Sequence, residues 1–339
     1  MLDRLILDRR AFMAGASATA LAAGLPRRAL AAEDVTLALA WIANAQNAGY
    51  WVAIEKGYFA AEGLEPKHLM GGPNAPQALV VLSAGKADIG QTNWLPFLDA
   101  VGQGNDFVII GANFPISAAG LISLPKKPIT KPADLVNAKI LAQGPAEKTT
   151  IEATLKLNNL PPTFTFVPAG FSPEPLLSGA GDAYFCFVTN QPIILEKMGM
   201  AQGKDFLVTR FADLGYQVPT TLFFVRRDTL EKKRKELVGY MRAMVKGWME
   251  NEKDPTLGAK LSVDKFGKDL GLDLQQQIRQ NELQIPLTRL APGDKMFWLD
   301  PKLVSGPMYA AARASGRDKL PDPSKIIDMS VLEDAYKGI

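Results

Sequence analysis

Apolar runs of strand length alternate with segments of helical periodicity through most of this chain, and that alternation limits the folds open to it. The pattern predicts strands at residues 35–40, 65–70 and 107–111, with helices near residues 48–61, 75–84 and 94–102 between them. Strands connected through helices form a mostly parallel sheet that helices cover on both faces. The sequence therefore predicts an α/β protein.

The same alternation starts again after residues 121–124, which predicts a second lobe. Its strands are expected at residues 139–142, 164–167, 182–188 and 206–209. One more strand at 220–225 and a largely helical tail follow, and the simplest arrangement packs that tail on the first lobe. We expect lobe 1 to contain residues 32–124 and 218–339, and lobe 2 residues 125–217. Two crossings between two lobes form a hinge with a ligand cleft beside it.

Residues 1–31 have the composition of an export signal. Three arginines precede an apolar, small-residue run at residues 12–25, and residues 29–31 offer an Ala-x-Ala cleavage site. The run is short for a membrane span, which needs about 20 residues, so we favour a cleaved signal over an N-terminal anchor. The stretch Arg9-Arg10-Ala11-Phe12-Met13 resembles the twin-arginine export motif. The protein is then expected in the periplasm, soluble after signal cleavage.

The net charge and the cysteine count limit the classes of binding partner that the sequence favours. Removal of residues 1–31 would take five Arg and two Asp from the 38 basic and 35 acidic side chains, leaving a formal net charge of zero. Nothing in that balance favours nucleic acid or an anionic membrane as a partner. The only cysteine, Cys186, excludes an internal disulfide and lies far from the cleavage site, which argues against a lipid-modified N-terminus. We expect a monomer that binds a small molecule.

The segments that follow the predicted strands have an unusual composition for loops. The carboxyl ends of strands in such sheets border the ligand crevice. We therefore expect the cleft to be lined by residues 41–51, 71–77, 91–97, 112–118, 143–149 and 188–192. Their only charged side chains are Glu147 and Lys148, whereas amides and aromatic rings are frequent. Rings stack on aromatic faces, and amides both donate and accept hydrogen bonds. A flat, neutral ligand with a polar edge is expected.

Most of the predicted ligand-binding residues come from these segments, and the second lobe adds two aromatic residues. The full predicted set is Trp41, Asn44, Asn47, Tyr50, Gly72, Asn74, Gln91, Asn93, Trp94, Asn113, Gln143, Glu147, Phe187, Asn190 and Tyr216. Several have a structural alternative. Trp41 and Trp94 also suit core packing, and Asn44 and Asn74 also suit helix caps or turns.

Two glycine-containing segments leave room for an anion. Gly71-Gly72 is open to two interpretations, a backbone nest for an anion and an ordinary turn before a proline. Gly144-Pro145 precedes a predicted helix whose free N–H groups would point toward the cleft. Ordinary helix capping explains that second segment better than an anion site does, so neither segment establishes an anion site.

Motifs for catalysis are missing from the sequence. The single histidine, His68, lies in a predicted strand, and no His/Cys cluster exists to hold zinc. There is no Ser-His-Asp set or phosphate-binding loop, and the Gly102-Gln-Gly segment lacks the third glycine of a dinucleotide fingerprint. We therefore predict a protein that is not an enzyme and carries no cofactor or metal.

A family resemblance enters at residues 52–64. This segment resembles the Ala-x-x-Lys-Gly-Tyr-Phe-x-x-Glu-Gly-Leu stretch of solute-binding proteins of ABC importers in the NMT1/Thi5-like group. Residues 71–74, 83–90 and 182–192 match the group in the same order. The group includes binders of nitrate, sulfonate, taurine, formylaminopyrimidine and riboflavin. The resemblance implies a type II periplasmic binding fold whose two lobes close on a ligand, and delivery to an inner-membrane permease with its ATPase.

Two departures within the group narrow the expected function. Fungal enzymes that make the thiamine pyrimidine have a histidine where this chain has Asn47, and a cysteine-rich run where it has residues 216–221. A synthase is therefore set aside. Gln191 stands where many relatives of the pyrimidine and riboflavin binders have Glu, which puts a thiamine-precursor pyrimidine in doubt and makes riboflavin or another neutral heteroaromatic comparable. A nitrate- or sulfonate-type anion binder is the alternative.

Overall fold

The computed structural model describes residues 32–72 and 75–339, so the predicted signal at residues 1–31 and the predicted site residue Asn74 lie outside the described residues. Ten strands, labelled β1 to β10 in chain order, form two five-stranded sheets. They are Glu33–Ala38, Leu64–Leu69, Ile89–Thr92, Phe107–Phe114, Ala119–Ser123, Lys139–Ala142, Thr165–Pro168, Ala183–Phe187, Leu207–Arg210 and Thr220–Arg226.

The helices of the described residues are labelled α1 to α15 in chain order. They are Ala48–Glu55, Tyr58–Ala61, Ala78–Ser83, Trp94–Gly102, Pro145–Leu157, Glu174–Leu177, Gln191–Lys197, Arg227–Lys232, Arg234–Lys253, Pro255–Leu261, Leu274–Gln284, Pro301–Leu303, Tyr309–Ala314, Pro323–Ile326 and Ser330–Tyr336. Short 3-10 turns lie at Ala45–Asn47, Pro132–Leu135, Lys268–Leu270 and Ile285–Thr288, and π-helical turns at Ser262–Phe266 and Val304–Met308.

The two sheets share one arrangement. The first has the order β2-β1-β3-β10-β4 and the second β7-β6-β8-β5-β9. In the first, β10 runs antiparallel between β3 and β4, and in the second β5 runs antiparallel between β8 and β9. The other four strands of each sheet point the same way. The predicted two-lobed α/β architecture with mostly parallel sheets is confirmed.

The first boundary between the lobes lies earlier in the chain than predicted, because β5 belongs to the second sheet. The sequence places residues 119–124 in lobe 1, but β5 pairs with β8 in the second sheet, from Ala119 opposite Phe187 to Ser123 opposite Ala183. The first crossing therefore lies at residues 115–118, between β4 and β5. The second lies at residues 211–219, between β9 and β10. A buried apolar strand carries no local signal for the sheet it joins, because tertiary pairing decides that.

The core of lobe 1 surrounds α1, which is buried on every side. Residues 48–53 are all buried, and α1 packs closely on α9. A Cβ built at Gly49 would lie 2.2 Å from Cγ of Trp248, and one at Gly247 would lie 2.2 Å from the Gly49 carbonyl. Only glycine permits this approach of two backbones.

The helical tail covers the first sheet and also reaches the second lobe. Ile327 bridges to Ile109 of β4, and α15 packs against β4 and α9. α13 packs against α5 of the second lobe. None of the helices in residues 32–72 and 75–339 combines the length and the apolar character that a membrane crossing needs.

Candidate ligand-binding site

A cavity of about 280 Å³ lies between the two lobes, and we call it the interlobe cavity. Segments that follow strands β1, β3, β6 and β8 line it, together with β10 and helix α11. Its lining residues are Ala40, Trp41, Asn44, Gln46, Asn93, Phe114, Ala118, Gln143, Glu147, Phe171, Phe187, Thr189, Asn190, Gln191, Thr220, Thr221, Gln280 and Gln284.

Residues 39–47, which we call the floor segment, form the base of the lobe 1 wall. The Asn44 side chain caps the 3-10 turn at residues 45–47, because its Oδ1 accepts from the backbone N of Gln46 at 3.0 Å. Trp51 Nε1 donates to the Asn44 carbonyl at 3.1 Å. The cap alternative for Asn44 is therefore correct, and the same residue also lines the cavity. Its Oδ1 accepts the capping bond, whereas its Nδ2 is a donor that no side-chain bond among the described residues engages.

Helix α11 (Leu274–Gln284) holds the floor segment from the other side. Gln277 Oε1 accepts from the backbone N of Ala45 at 2.8 Å, and Gln284 Nε2 donates to the Ala45 carbonyl. Gln277 and Gln284 are 4% and 1% exposed. Buried backbone groups of a loop need such partners, so the Gln-rich helix satisfies a segment more than two hundred residues away in sequence.

Thr221 contributes a strained residue to the lobe 1 wall. Its φ is +59°, a conformation that β-branched residues rarely adopt. Two cavity residues hold it there: Asn93 Oδ1 accepts from the Thr221 backbone N at 3.2 Å, and Gln46 Nε2 donates to Thr221 Oγ1 at 3.2 Å. Such strain costs of order 1–3 kcal/mol and concentrates at functional sites. It marks this wall as a site whose geometry matters.

The lobe 2 wall has polar groups fixed by short local bonds. Gln143 Nε2 donates to Tyr184 Oη at 2.6 Å. Gln191 Oε1 accepts from the backbone N of Phe187 at 2.8 Å, which leaves Nε2 of Gln191 as the donor available to a ligand. Asn190 Oδ1 accepts from Gln276 Nε2 of helix α11 at 2.9 Å, across the cleft. Gln191 thus presents a donor where a Glu in its place would present an acceptor.

Aromatic rings approach the cavity from both lobes. Trp41 of the floor segment lies 6.4 Å from Phe171 of lobe 2, centroid to centroid, at an interplanar angle of 60°. Phe171 and Phe187 are 62% and 41% exposed, unusually high for large apolar side chains beside a cavity. A flat ligand placed between these rings would cover surface that now faces solvent.

Among the residues that the structure describes, Glu147 is the only charged side chain that lines the interlobe cavity. It lies in the first turn of α5, and its carboxylate forms no ion pair within residues 32–72 and 75–339. The neighbouring Lys148 pairs instead with Glu152 at 3.8 Å. The wall therefore combines one carboxylate, many amides and no cation, which suits a ligand that offers hydrogen-bond donors.

The structure brings seven of the predicted ligand-binding residues to the interlobe cavity: Trp41, Asn44, Asn93, Gln143, Glu147, Phe187 and Asn190. Trp94 and Tyr216 line a neighbouring cavity of about 210 Å³. We call it the hinge-side cavity because Ser117 and Val218 of the two crossings also line it. The two cavities share Asn93, Glu147, Phe187 and Thr220 on their walls.

Five other predicted residues take structural positions instead. Tyr50 is fully buried in the aromatic core, 4.9 Å from Trp51 and 5.5 Å from Phe59, because α1 is covered on all sides. Gly72 has φ +126° and lies in the turn after β2, outside the cavity lining.

The remaining three, Asn47, Gln91 and Asn113, form a layer of amides behind the floor segment. Gln91 Nε2 donates to Asn47 Oδ1 at 3.0 Å, its Oε1 accepts from the backbone N of Ala40, and Asn113 Nδ2 donates to the Gln46 carbonyl. They are at most 2% exposed. These amides position the floor rather than face the cavity.

Several cavity residues were missed by the sequence analysis: Gln46, Phe171, Thr189, Gln191, Thr220, Thr221, Gln280 and Gln284. Thr189 and Gln191 lie in residues 182–192, which match the family in sequence. That match was the signal that could have identified them. Gln280 and Gln284 had no such signal, because they belong to a tail helix and follow no strand.

The chain's single cysteine and single histidine lie outside the interlobe cavity. Cys186 is buried in β8, and burial raises the pKa of its thiol. His68 lies 5.1 Å from the Trp51 ring, and burial lowers the pKa of its imidazole. In residues 32–72 and 75–339 no group of three or more acidic, histidine or cysteine side chains is placed to hold a metal.

Comparison with known structures defines the class of fold. The periplasmic sulfonate-binding protein SsuA from Methylobacillus flagellatus KT superposes with a TM-score of 0.64 at 14% identity, covering 91% of this chain and 95% of SsuA. The periplasmic nitrate-binding protein NrtA from Synechocystis PCC 6803 gives 0.54 at 14% identity, covering 90% and 89%. The fold is that of two-lobed periplasmic binding proteins.

The sequence defines the family. Residues 44–256 match the NMT1/THI5-like family, and the chain belongs to it. The desulfurization enzyme DSZB has the same fold, with a TM-score of 0.57 at 13% identity over 90% of this chain and 99% of DSZB. No curated protein matches the chain in sequence. The resemblance seen in the sequence is confirmed at the level of family and fold.

Proposed function

We propose that this protein is the substrate-binding component of an ABC importer and captures a small, neutral heteroaromatic metabolite between its lobes. The observation that carries the proposal is the cavity wall that the described residues form: aromatic rings from both lobes, a mixture of amide donors and acceptors, and Glu147 as the only charge. Such a wall stacks on a flat ring and hydrogen-bonds its polar edge. A thiamine-precursor pyrimidine and riboflavin are the leading candidates.

Gln191 limits which hydrogen-bonding groups a bound ring can present. Its Oε1 is occupied by the Phe187 backbone N–H, so it offers a donor to the ligand. Glu147, which also lines the cavity from lobe 2, offers an acceptor. A ligand that pairs with both needs an acceptor and a donor on its rim, as nitrogen heterocycles have. Neither residue alone distinguishes an aminopyrimidine from a flavin.

An anion such as nitrate or a sulfonate is the second candidate. Its support is the likeness to sulfonate- and nitrate-binding structures, together with the first turn of α5 at the cavity, where backbone N–H groups attract negative charge. The unpaired carboxylate of Glu147 on the same turn opposes it, because like charges repel in a partly buried site. No Lys or Arg from residues 32–72 and 75–339 lines the wall, so these residues supply no counter-charge for an anion.

Binding rather than catalysis is proposed although DSZB shares the fold. Cys186 and His68, the residues best suited to nucleophilic or general-base chemistry, lie outside the cavity. The protein would act in the periplasm as a monomer and pass its ligand to a membrane permease with its ATPase. The family and the export-signal composition of residues 1–31 support that setting.

Calorimetric titration of the purified protein tests the proposal. The ligands are a hydroxymethyl aminopyrimidine, riboflavin, nitrate and taurine, and each is recovered afterwards to measure its consumption. We expect saturable binding of at least one heterocycle, recovered unchanged. Tight binding of nitrate or taurine alone would establish the anion alternative, and conversion of a bound heterocycle would show an enzyme.

A further inference from the structure

Helix α11 is held in place by amide contacts on several sides. Beyond the bonds of Gln277 and Gln284 to the floor segment, Asn281 exchanges side-chain bonds with Asn251 at 3.0 and 2.8 Å. Gln276 reaches Asn190 of lobe 2 at 2.9 Å. The floor segment, helix α9 and lobe 2 therefore all fix this helix, and any side chain it presents to the cavity stands on a rigid support.

Gln280 is the exception among these amides. It lines the interlobe cavity and is 4% exposed, yet its Oε1 has no hydrogen-bond partner among the residues that the structure describes. A buried acceptor without a partner destabilises a folded protein, and native proteins keep few of them. At a cavity wall the missing partner can come from a ligand.

We propose that Gln280 is a specificity-determining residue that pairs with an N–H edge of the bound heterocycle. A primary amide holds one acceptor beside one donor in a plane, and it pairs bidentately with a ring edge that places an N–H next to a nitrogen or oxygen acceptor. This pairing requires the Gln280 amide to turn its buried oxygen toward the cavity. The inference rests on the proposed function and narrows its substrate class to heterocycles with an unsubstituted N–H edge.

The surrounding wall supports this assignment. Protein hydrogen bonds occupy the side-chain oxygens of Asn44, Asn93 and Asn190, so these three residues offer donors to a ligand. A ligand N–H needs an acceptor instead, and Gln280 supplies an uncharged one on the face of the cavity that α11 forms. Removing the hydrogen-bonding group from such a ligand leaves a buried polar group unpaired, which is the strongest form of discrimination.

Matched pairs of probes test the proposal by titration. One pair is an aminopyrimidine with a free amino group and its dimethylamino counterpart; the other is riboflavin and riboflavin methylated at its imide nitrogen. The wild-type protein should prefer the N–H member of a bound pair by about tenfold or more. Gln280→Met, close in size but without the amide, should weaken the N–H member by a similar factor and bring the two members within about twofold.

Two further measurements separate recognition from folding. Gln280→Met should unfold at a urea concentration no lower than wild type, because it removes an unpaired buried group. Gln275→Met, an equivalent substitution at an exposed position of the same helix, should change neither affinity nor preference. Gln280→Glu retains an acceptor and should retain the preference for the N–H member.

The outcomes distinguish the two proposals. A heterocycle pair bound with an unchanged preference by Gln280→Met overturns the role of Gln280 and leaves the proposed function standing. A wild-type protein that binds both members equally does the same. Failure of every heterocycle to bind, with or without binding of nitrate or taurine, overturns the proposed function and this inference together.

Discussion

The two walls of the interlobe cavity differ in how firmly the protein holds them. On the lobe 1 wall, Asn44 is 5% exposed and the floor segment is bonded from below by an amide layer and from the side by α11. On the lobe 2 wall, Phe171 and Phe187 are 62% and 41% exposed. The polar groups of the lobe 1 wall are thus fixed in advance, whereas Phe171 and Phe187 of lobe 2 keep surface that only a ligand or further closure would cover. Preorganisation of the polar half lowers the ordering cost of binding.

The largest expected effect separates core aromatics from wall aromatics. Trp94 is fully buried, its Nε1 donates to the Met308 carbonyl at 2.9 Å, and its ring stacks 5.9 Å from Tyr309. Trp94→Ala should lower the free energy of unfolding by about 3–5 kcal/mol in urea. Phe171→Ala, on the exposed wall, should change it by no more than about 0.5 kcal/mol. Equal losses of unfolding free energy in the two variants would contradict the distinction between core and wall aromatics.

The amide layer gives the next largest effect. Asn47→Ala removes the acceptor of Gln91 Nε2, a buried donor, and should cost about 1–3 kcal/mol of stability. The loss lies toward the lower end because Asn47 Nδ2 already lacks a partner among the described residues. Ligand affinity measured on the folded variant should fall much less. An affinity loss of more than about tenfold without a stability loss would show that Asn47 contacts the ligand instead.

How far the sequence could predict these walls depends on where each residue's partners lie in the chain. The α/β alternation was reliable because strands such as β4 are buried along their whole length and read as apolar runs. Asn93 and Asn190 were found because the ends of strands meet at one edge of a sheet. Tyr50 was misplaced, since an apolar helix that follows a strand looks the same at a cleft and in a core.

Helix α11 shows why the rest could not be predicted. Its run of glutamines has the composition of a solvated helix, yet Gln277, Gln280 and Gln284 are buried. The backbone of Ala45 in the floor segment, 232 residues away from Gln277, provides hydrogen-bond partners for Gln277 and Gln284. Polar burial of this kind is set by tertiary contacts and leaves no periodic signal.

Trp41 connects the two walls, and its substitution tests their contribution to ligand affinity. It belongs to the firmly held floor segment, but its ring faces Phe171 of the opposite lobe. Trp41→Ala should weaken heterocycle binding by about ten- to thirtyfold, from lost stacking and lost buried area. Its ring is only partly buried, so it should contribute far less to the free energy of unfolding than Trp94. Calorimetric titration beside urea unfolding checks both, and normal affinity in a folded variant would remove Trp41 from the site.

The smallest expected effect concerns the contacts that join the walls. Arg279 of α11 pairs with Glu196 of α7 at 3.2 Å, and Asp273 pairs with Lys197 of the same helix at 3.1 Å. These pairs link the two lobes outside the cavity. The side chains are 28% to 48% exposed, so each pair contributes about 0.2–1 kcal/mol and is screened by salt.

Arg279→Ala should therefore favour the open arrangement only slightly. We expect a small increase in the radius of gyration of the ligand-free protein at low salt, and ligand affinity reduced by no more than about fivefold. Both differences should shrink as salt rises. Lys253→Ala, which breaks an ion pair with Glu250 inside lobe 1 at 3.1 Å, is the matched control and should change neither quantity. If the two variants behave alike in scattering and titration, the ion pairs across the cleft do not set the lobe equilibrium.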